Sequence, residues 1–165
     1  MNSQRILILG GLVLILIGII YGFTHAGFFI KSLREARLES MQLAIDFAIR
    51  NQTSQAFGYL KQAEHIQELW ERNMDAHSHV TLFGFQSLLL AFLLPYISLN
   101  QKLILILAIF MVMGGLLLPL GVVLEALGFE IPGFISAMLG GSWVLIATLG
   151  FTIGFLLHWR SSSKI

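Results

Sequence analysis

ILILGGLVLILIGIIYGFTHAGFFI, residues 6–30, is the first of four long apolar runs that decide the fold of this chain. The other runs cover residues 80–99, 103–124 and 131–157, and none of these three contains a charged residue. Each run exceeds the roughly 18 residues that a helix needs to cross a bilayer core of about 30 Å. The sequence therefore predicts an all-α integral membrane protein with four transmembrane helices.

The composition agrees with a single membrane domain over residues 1–165. Hydrophobic residues make up 56% of the chain and charged residues only 12%, which is too apolar for an ordinary soluble domain. The chain has no cysteine, which excludes disulfides, thiolate-bound zinc and iron–sulfur clusters.

The first run raises one alternative, a secretory signal peptide. Arg5 supplies a positive start, and Thr24 with Ala26 supplies small residues for cleavage. The run continues past that point and is longer than the roughly 7–15 apolar residues of a signal peptide. The length favours a retained helix.

The basic residues predict the orientation. Arg5, Lys102, Arg160 and Lys164 all fall on one side of a four-helix topology, and no acidic residue accompanies them. By the positive-inside rule this side is cytoplasmic, so both termini face the cytoplasm of a multi-pass protein in the cell's inner (plasma) membrane. The long segment 31–75 then lies on the outer side.

Segment 31–75 has a helical pattern with interleaved charges, interrupted by NQTSQ at residues 51–55. We interpret it as an extracytoplasmic two-helix hairpin between the first and second transmembrane helices. Asn73 or Asp75 is predicted to cap the second transmembrane helix and to place His77 in its first turn. A solvated hairpin without a site of its own is the plainer interpretation of such a charged segment.

Three histidines are predicted at the outer edge of the membrane: His25, His77 and His79. Residues two apart on a helix point about 200° apart, so His77 and His79 would serve different sites. The face of His77 includes Thr81 and Gly84, small residues that leave room for a flat macrocycle. Imidazole ligands beside such a slot are what a haem needs. The alternative is that the histidines have no ligand and lie at the membrane interface only because an amphipathic side chain is acceptable there.

The stretch AHSHVTLFG, residues 76–84, resembles the His-x-His-x3-Leu/Phe-Gly signature of small four-helix membrane proteins related to haem–copper oxidase subunit I. The resemblance implies one four-helix unit that binds haem b, with His77 and His79 as cofactor and metal ligands. It does not extend to His25, which is a candidate cofactor ligand from the first helix because it is predicted at the same depth. The chain departs from the oxidases because it shows neither a separate histidine trio for copper nor a tyrosine cross-link motif. One chain alone is therefore not expected to reduce oxygen, and whether it is an enzyme stays open.

The resulting hypothesis is a haem b membrane protein for electron transfer or for handling a diatomic gas. Two alternatives stay open: a cofactor-free accessory subunit of a larger membrane complex, and an outer-side copper or zinc protein with imidazole ligands. The expected partners are the lipid bilayer and either further copies of the chain, such as a trimer, or subunits of a respiratory complex. No nucleic-acid partner is expected.

Overall fold

The structure, a computed structural model, describes residues 2–162. Within those residues it is built from helices and contains no β-strand, which confirms the all-α class. The elements are α1 (Ser3–Thr24), a π-helical turn (His25–Phe29), α2 (Ile30–Ile49), α3 (Thr53–Leu93), a 3₁₀ turn (Leu94–Tyr96), α4 (Gln101–Ala126) and α5 (Glu130–Ser162).

Four helical stretches of the described chain are long and apolar enough to cross a membrane, as the four apolar runs predict. Large apolar side chains remain exposed along them, for example Leu16, Phe85, Phe92 and Leu145. Such a surface would be unfavourable in water, because contiguous exposed apolar patches are rare on soluble monomers. It suits a multi-pass membrane protein, whose outer surface contacts lipid.

The described chain divides into two compact units. The first, which we call the four-helix unit, comprises residues 2–19 and 75–162. The second, which we call the polar unit, comprises residues 20–74.

All four helices of the four-helix unit contribute to one apolar core. Leu7 and Leu14 come from α1, and Met111 from α4 is fully buried between them and the other helices. The remaining members of this core are Val80, Phe83, Ala91, Ile97, Ile104, Leu107, Ala108, Val144, Ala147 and Phe151. The core therefore runs along most of the length of the helices.

Glycines set the closest approaches between these helices. A Cβ on Gly84 of α3 would lie 2.8 Å from the carbonyl oxygen of Gly11 on α1. A Cβ on Gly140 of α5 would lie 2.3 Å from the backbone nitrogen of Leu118 on α4. Small residues bring helix backbones together in membranes in this way, where dispersion contacts and weak polar contacts replace the hydrophobic effect.

A short connection joins α3 to α4 at the opposite end from the histidine pair. Helix α3 ends at Leu93 because Pro95 disfavours helical geometry in the residue before it. The Ser98 N–H then donates to the Gly154 carbonyl of α5. Asn100 caps α4 by accepting a 2.7 Å bond from the Leu103 N–H.

The polar unit contains the predicted break at residues 51–55. Helix α2 ends in a Schellman motif, in which Gln52 N–H donates to Phe47 O and Asn51 N–H donates to Ala48 O. Asn51 has a φ of 58°, a left-handed conformation that asparagine tolerates better than most residues. Helix α3 begins at Thr53, and the rings of Phe47 and Tyr59 stack with their centroids 5.3 Å apart.

The predicted cap at Asn73 or Asp75 is wrong. Helix α3 runs from Thr53 to Leu93 without a break, so His77 lies in its interior and not in a first turn. No glycine or proline interrupts residues 59–83, and the Asn73 side chain donates to the Leu69 carbonyl of its own helix.

Candidate functional site

His77 is anchored to the backbone of α1. Its Nδ1 lies 2.8 Å from the carbonyl oxygen of Gly18. A carbonyl can only accept a hydrogen bond, so Nδ1 carries the proton and donates. The approach is possible because Gly18 has no side chain: a Cβ there would lie 2.2 Å from Oγ1 of Thr81, one turn along α3 from His77.

His79 is anchored within its own helix. Its Nδ1 lies 2.7 Å from the carbonyl oxygen of Asp75, to which it donates by the same reasoning. The ring of Phe83 lies one turn further along α3, 5.8 Å away and tilted by 43°. The ring of His79 is therefore held between a backbone carbonyl and an aromatic neighbour.

Both imidazoles have the same proton arrangement. With the proton on Nδ1, the neutral ring has its lone pair on Nε2, which is the atom that binds a metal or a haem iron. Metal-binding histidines usually donate their other ring N–H to a carbonyl or a carboxylate, which fixes the ring and raises its basicity. The donor chemistry of both residues thus fits axial ligation.

The two rings do not form a shared metal site. Their anchors differ, one on α1 and one on α3, as expected for residues about 200° apart around a helix. Within residues 2–162, no three His, Asp or Glu side chains lie close enough together to hold a metal ion. A multi-ligand copper or zinc site therefore has no support from the described residues, whereas a haem requires only one or two protein ligands.

The predicted open slot beside Thr81 and Gly84 is wrong. Helix α1 fills that face: a Cβ on Gly84 would meet the Ile15 side chain at 2.6 Å and the Gly11 carbonyl at 2.8 Å. The small residues serve helix packing and leave no space for a macrocycle there.

His25 belongs to the polar unit and opens the π-helical turn. It is only 4% exposed and lies in a stack of aromatic rings, with Tyr21 6.5 Å and Phe29 6.2 Å away and both nearly parallel to it. Tyr21 also donates its hydroxyl to Oδ1 of Asn73. A role for His25 as a cofactor ligand stays a prediction.

Two polar contacts between distant parts of the chain escaped the sequence reasoning. Nε2 of Gln86 donates to Oγ1 of Thr148 at 2.7 Å, which joins α3 to α5 within their apolar lengths. His158 of α5 has Ser98 Oγ 3.2 Å from its Nδ1, and its ring packs edge to face with the ring of Tyr96. These partners lie about 60 positions apart, so no local sequence signal could have paired them.

His65 is exposed on α3. Met111 is fully buried in the core, whereas Met113 is 41% exposed. No family model, no curated protein and no solved structure matches this chain.

Proposed function

We propose that this chain is a haem b-binding membrane protein that transfers electrons or binds a diatomic gas. His77 and His79 would each hold a haem through the imidazole ring, and because the two rings face different directions they would hold different haems. The resemblance of AHSHVTLFG to one four-helix unit of haem–copper oxidase subunit I supports the choice of cofactor. The orientation that goes with it has both termini in the cytoplasm and residues 31–75 as an outer hairpin.

One observation carries the proposal: the backbone carbonyls of Gly18 and Asp75 hold the protons of both rings on Nδ1. This arrangement prepares two Nε2 lone pairs before any ligand arrives.

In this proposal each residue of the site has a separate role. A bound haem b would supply a one-electron couple and an iron that binds small gases. His77 and His79 would hold it by Nε2, and the two carbonyls would keep the rings oriented and electron-rich. Phe83, packed beside His79, would keep water from that ring.

The visible spectrum of the protein, purified after expression in haem-replete cells, tests the proposal. We expect a Soret band and b-type α and β bands, confirmed by extraction of non-covalent haem. His77→Ala and His79→Ala should each lower the haem content or shift the bands, because each removes an axial nitrogen. The exposed His65 provides the matched control, and His65→Ala should leave the spectrum unchanged.

The filled face beside Gly84 favours a second candidate function, a cofactor-free accessory subunit of a larger membrane complex. In that case, the carbonyl bonds of the two histidines serve only to join and stiffen helices. Purified protein that is colourless and free of haem, although folded and fully helical, would reject the haem proposal and support this candidate.

A further inference from the structure

A polar cavity of about 170 Å³ lies in the four-helix unit, at the end that carries the connection between α3 and α4. The start of α1, the end of α3 and the start of α4 line it. Its polar side chains are uncharged: Asn2, Ser3, Gln4 and Gln101. This end is opposite to the histidine pair, so the cavity is separate from the proposed haem ligands.

Helices α1 and α4 both begin at this cavity. The first four N–H groups of a helix have no carbonyl partner within it. Asn2 accepts a hydrogen bond from the Gln4 N–H at 3.2 Å, and Asn100 accepts one from the Leu103 N–H at 2.7 Å. Each cap serves a single N–H, so further N–H groups and the positive ends of two helix dipoles meet at one place. This combination favours an anion.

Ser3 supplies a buried hydroxyl to the cavity. It is only 5% exposed, and within residues 2–162 its side chain forms no hydrogen bond. A buried hydroxyl that bonds to nothing destabilises a fold, so we expect the occupant of the cavity to bond to it. Gln4 is already engaged, because its Nε2 lies 3.5 Å from the Ala91 carbonyl, whose helical donor is missing at Pro95.

The charges around the cavity are all positive. Residues 2–8, 94–104 and 155–162, which form this end of the unit, contain Arg5, Lys102 and Arg160 but no Asp or Glu. Arg5 and Lys102 directly follow two lining residues and are exposed. Basic sites between helix ends on the cytoplasmic side are typical of binding to anionic lipid headgroups.

An apolar groove adjoins the cavity along α4. It encloses about 510 Å³ and is lined by Asn100, Gln101, Lys102, Leu103 and Ile106, so Gln101 belongs to both the groove and the cavity. Leu103 and Ile106 are 37% and 48% exposed. A molecule with an anionic head and an apolar tail fits the two spaces together, whereas a soluble anion would leave the groove empty.

We propose that the cavity binds the phosphate of an anionic glycerophospholipid and that the groove holds one of its acyl chains. The phosphate accepts hydrogen bonds from the Ser3 hydroxyl, from Nε2 of Gln101 and from N–H groups at the starts of α1 and α4. Lys102 adds positive charge beside it. The acyl chain lies against Leu103 and Ile106, and the lipid joins the start of α1 to the start of α4.

Lipid binding to the full chain tests the proposal. Purified protein in detergent, freed of native lipid, is titrated with dioleoyl phosphatidylglycerol or with dioleoyl phosphatidylcholine, and native mass spectrometry counts the bound lipids. We expect one phosphatidylglycerol to bind about tenfold more tightly than phosphatidylcholine, because choline cancels the charge that the cavity attracts.

Gln101→Glu is the most informative variant. A carboxylate in the first turn of α4 suits the helix dipole, so the fold should be retained, and circular dichroism checks the helix content. The same carboxylate repels a phosphate and should weaken phosphatidylglycerol binding about tenfold. Ser3→Ala removes only the buried hydroxyl and should weaken it by a smaller factor. Arg160→Gln, the control, removes a positive charge outside the cavity and should leave the preference unchanged.

Three results would overturn the proposal. Equal binding of the two lipids would show that the cavity does not select an anion. Native-like binding of phosphatidylglycerol to Gln101→Glu would show that the lipid lies elsewhere on the protein. Equal thermal stabilisation by glycerol 3-phosphate and by phosphatidylglycerol would assign the cavity to a soluble phosphate. None of these measurements depends on the colour of the protein, so the lipid site and the haem proposal stand or fall separately.

Discussion

At the scale of single residues, glycines and backbone carbonyls determine what the histidine-bearing helix can do. The carbonyl of Gly18 accepts a hydrogen bond from His77, and the absence of a side chain at Gly84 allows α1 to pack closely against α3. The orientation of each histidine ring is therefore set by a backbone carbonyl, that of Gly18 for His77 and that of Asp75 for His79. A bulkier residue at Gly84 would push α1 and α3 apart, because its Cβ would meet not only the Ile15 side chain but also backbone atoms of Gly11 and Ile15, which cannot move alone.

Substitution of two glycines of α3 should have opposite effects on stability. Gly84→Ala puts a Cβ within 2.9 Å of backbone atoms of Gly11 and Ile15, and we expect a loss of about 1–3 kcal/mol from overpacking. Gly58→Ala meets no atom within 4 Å and should stabilise its helix by about 0.5–1 kcal/mol. Thermal or denaturant unfolding in detergent measures both. Equal effects of the two variants would contradict the packing described for Gly84.

The residue types at the site could be identified from sequence, but not their surroundings. The spacing of His77 and His79 already showed that they face different directions. The same pattern marked Thr81 and Gly84 as a small face, yet small residues admit a ligand and a neighbouring helix equally well. Only the position of Ile15 on another helix decides between them, and that information is not local.

At the scale of elements, the continuity of α3 is the main difference from expectation. Asn73 and Asp75 are good capping residues, which made a helix start plausible near the membrane edge. They are also tolerated inside helices when nothing else breaks the chain, and the tertiary contact of Asn73 with Tyr21 gives that residue another role. The break at Asn51 was foreseeable, because several helix-disfavouring residues follow one another there.

The bond between Gln86 and Thr148 predicts a measurable coupling between α3 and α5. Gln86→Leu and Thr148→Val should each lower the free energy of unfolding, and a double-mutant cycle should give a coupling of about 0.6 kcal/mol, with an upper range near 1.7 kcal/mol. The value stays small because an unfolded chain in detergent or lipid also finds polar partners. Strictly additive effects would indicate that the two side chains do not bond in the membrane.

At the scale of the whole molecule, the membrane character followed directly from hydropathy. A bilayer requires long, internally bonded apolar helices, so the four runs admitted few other interpretations. The pairing of those helices around Met111 and Phe151 did not follow, because lipid-facing and core-facing residues are equally apolar here. For the proposed cofactor site, the sequence indicates the type of ligand, histidine, but it does not show whether a pocket lies beside that ligand.

The proposed orientation predicts which turns face the outside. Gln52→Cys, next to Asn51, should react with a membrane-impermeant thiol reagent added to intact cells or spheroplasts. Gln101→Cys, at the start of α4, should react only after the membrane is opened. Both positions are exposed and the native chain has no cysteine, so the labelling background is low. The reverse labelling pattern would place the termini outside.

The π-helical turn at His25–Phe29 has a consequence for the direction in which α2 faces. Ile30 N–H bonds to the carbonyl of His25, five residues earlier, so the chain there winds one residue wider than an α-helix. Loss of one residue at this turn, such as Gly27, would restore ordinary winding and leave the azimuth of α2 relative to Tyr21 nearly unchanged, because four α-helical residues turn the chain about as far as five residues of the wider turn. The same deletion within the regular part of α2 has no bulge to absorb it and would rotate the residues that follow by about 100°.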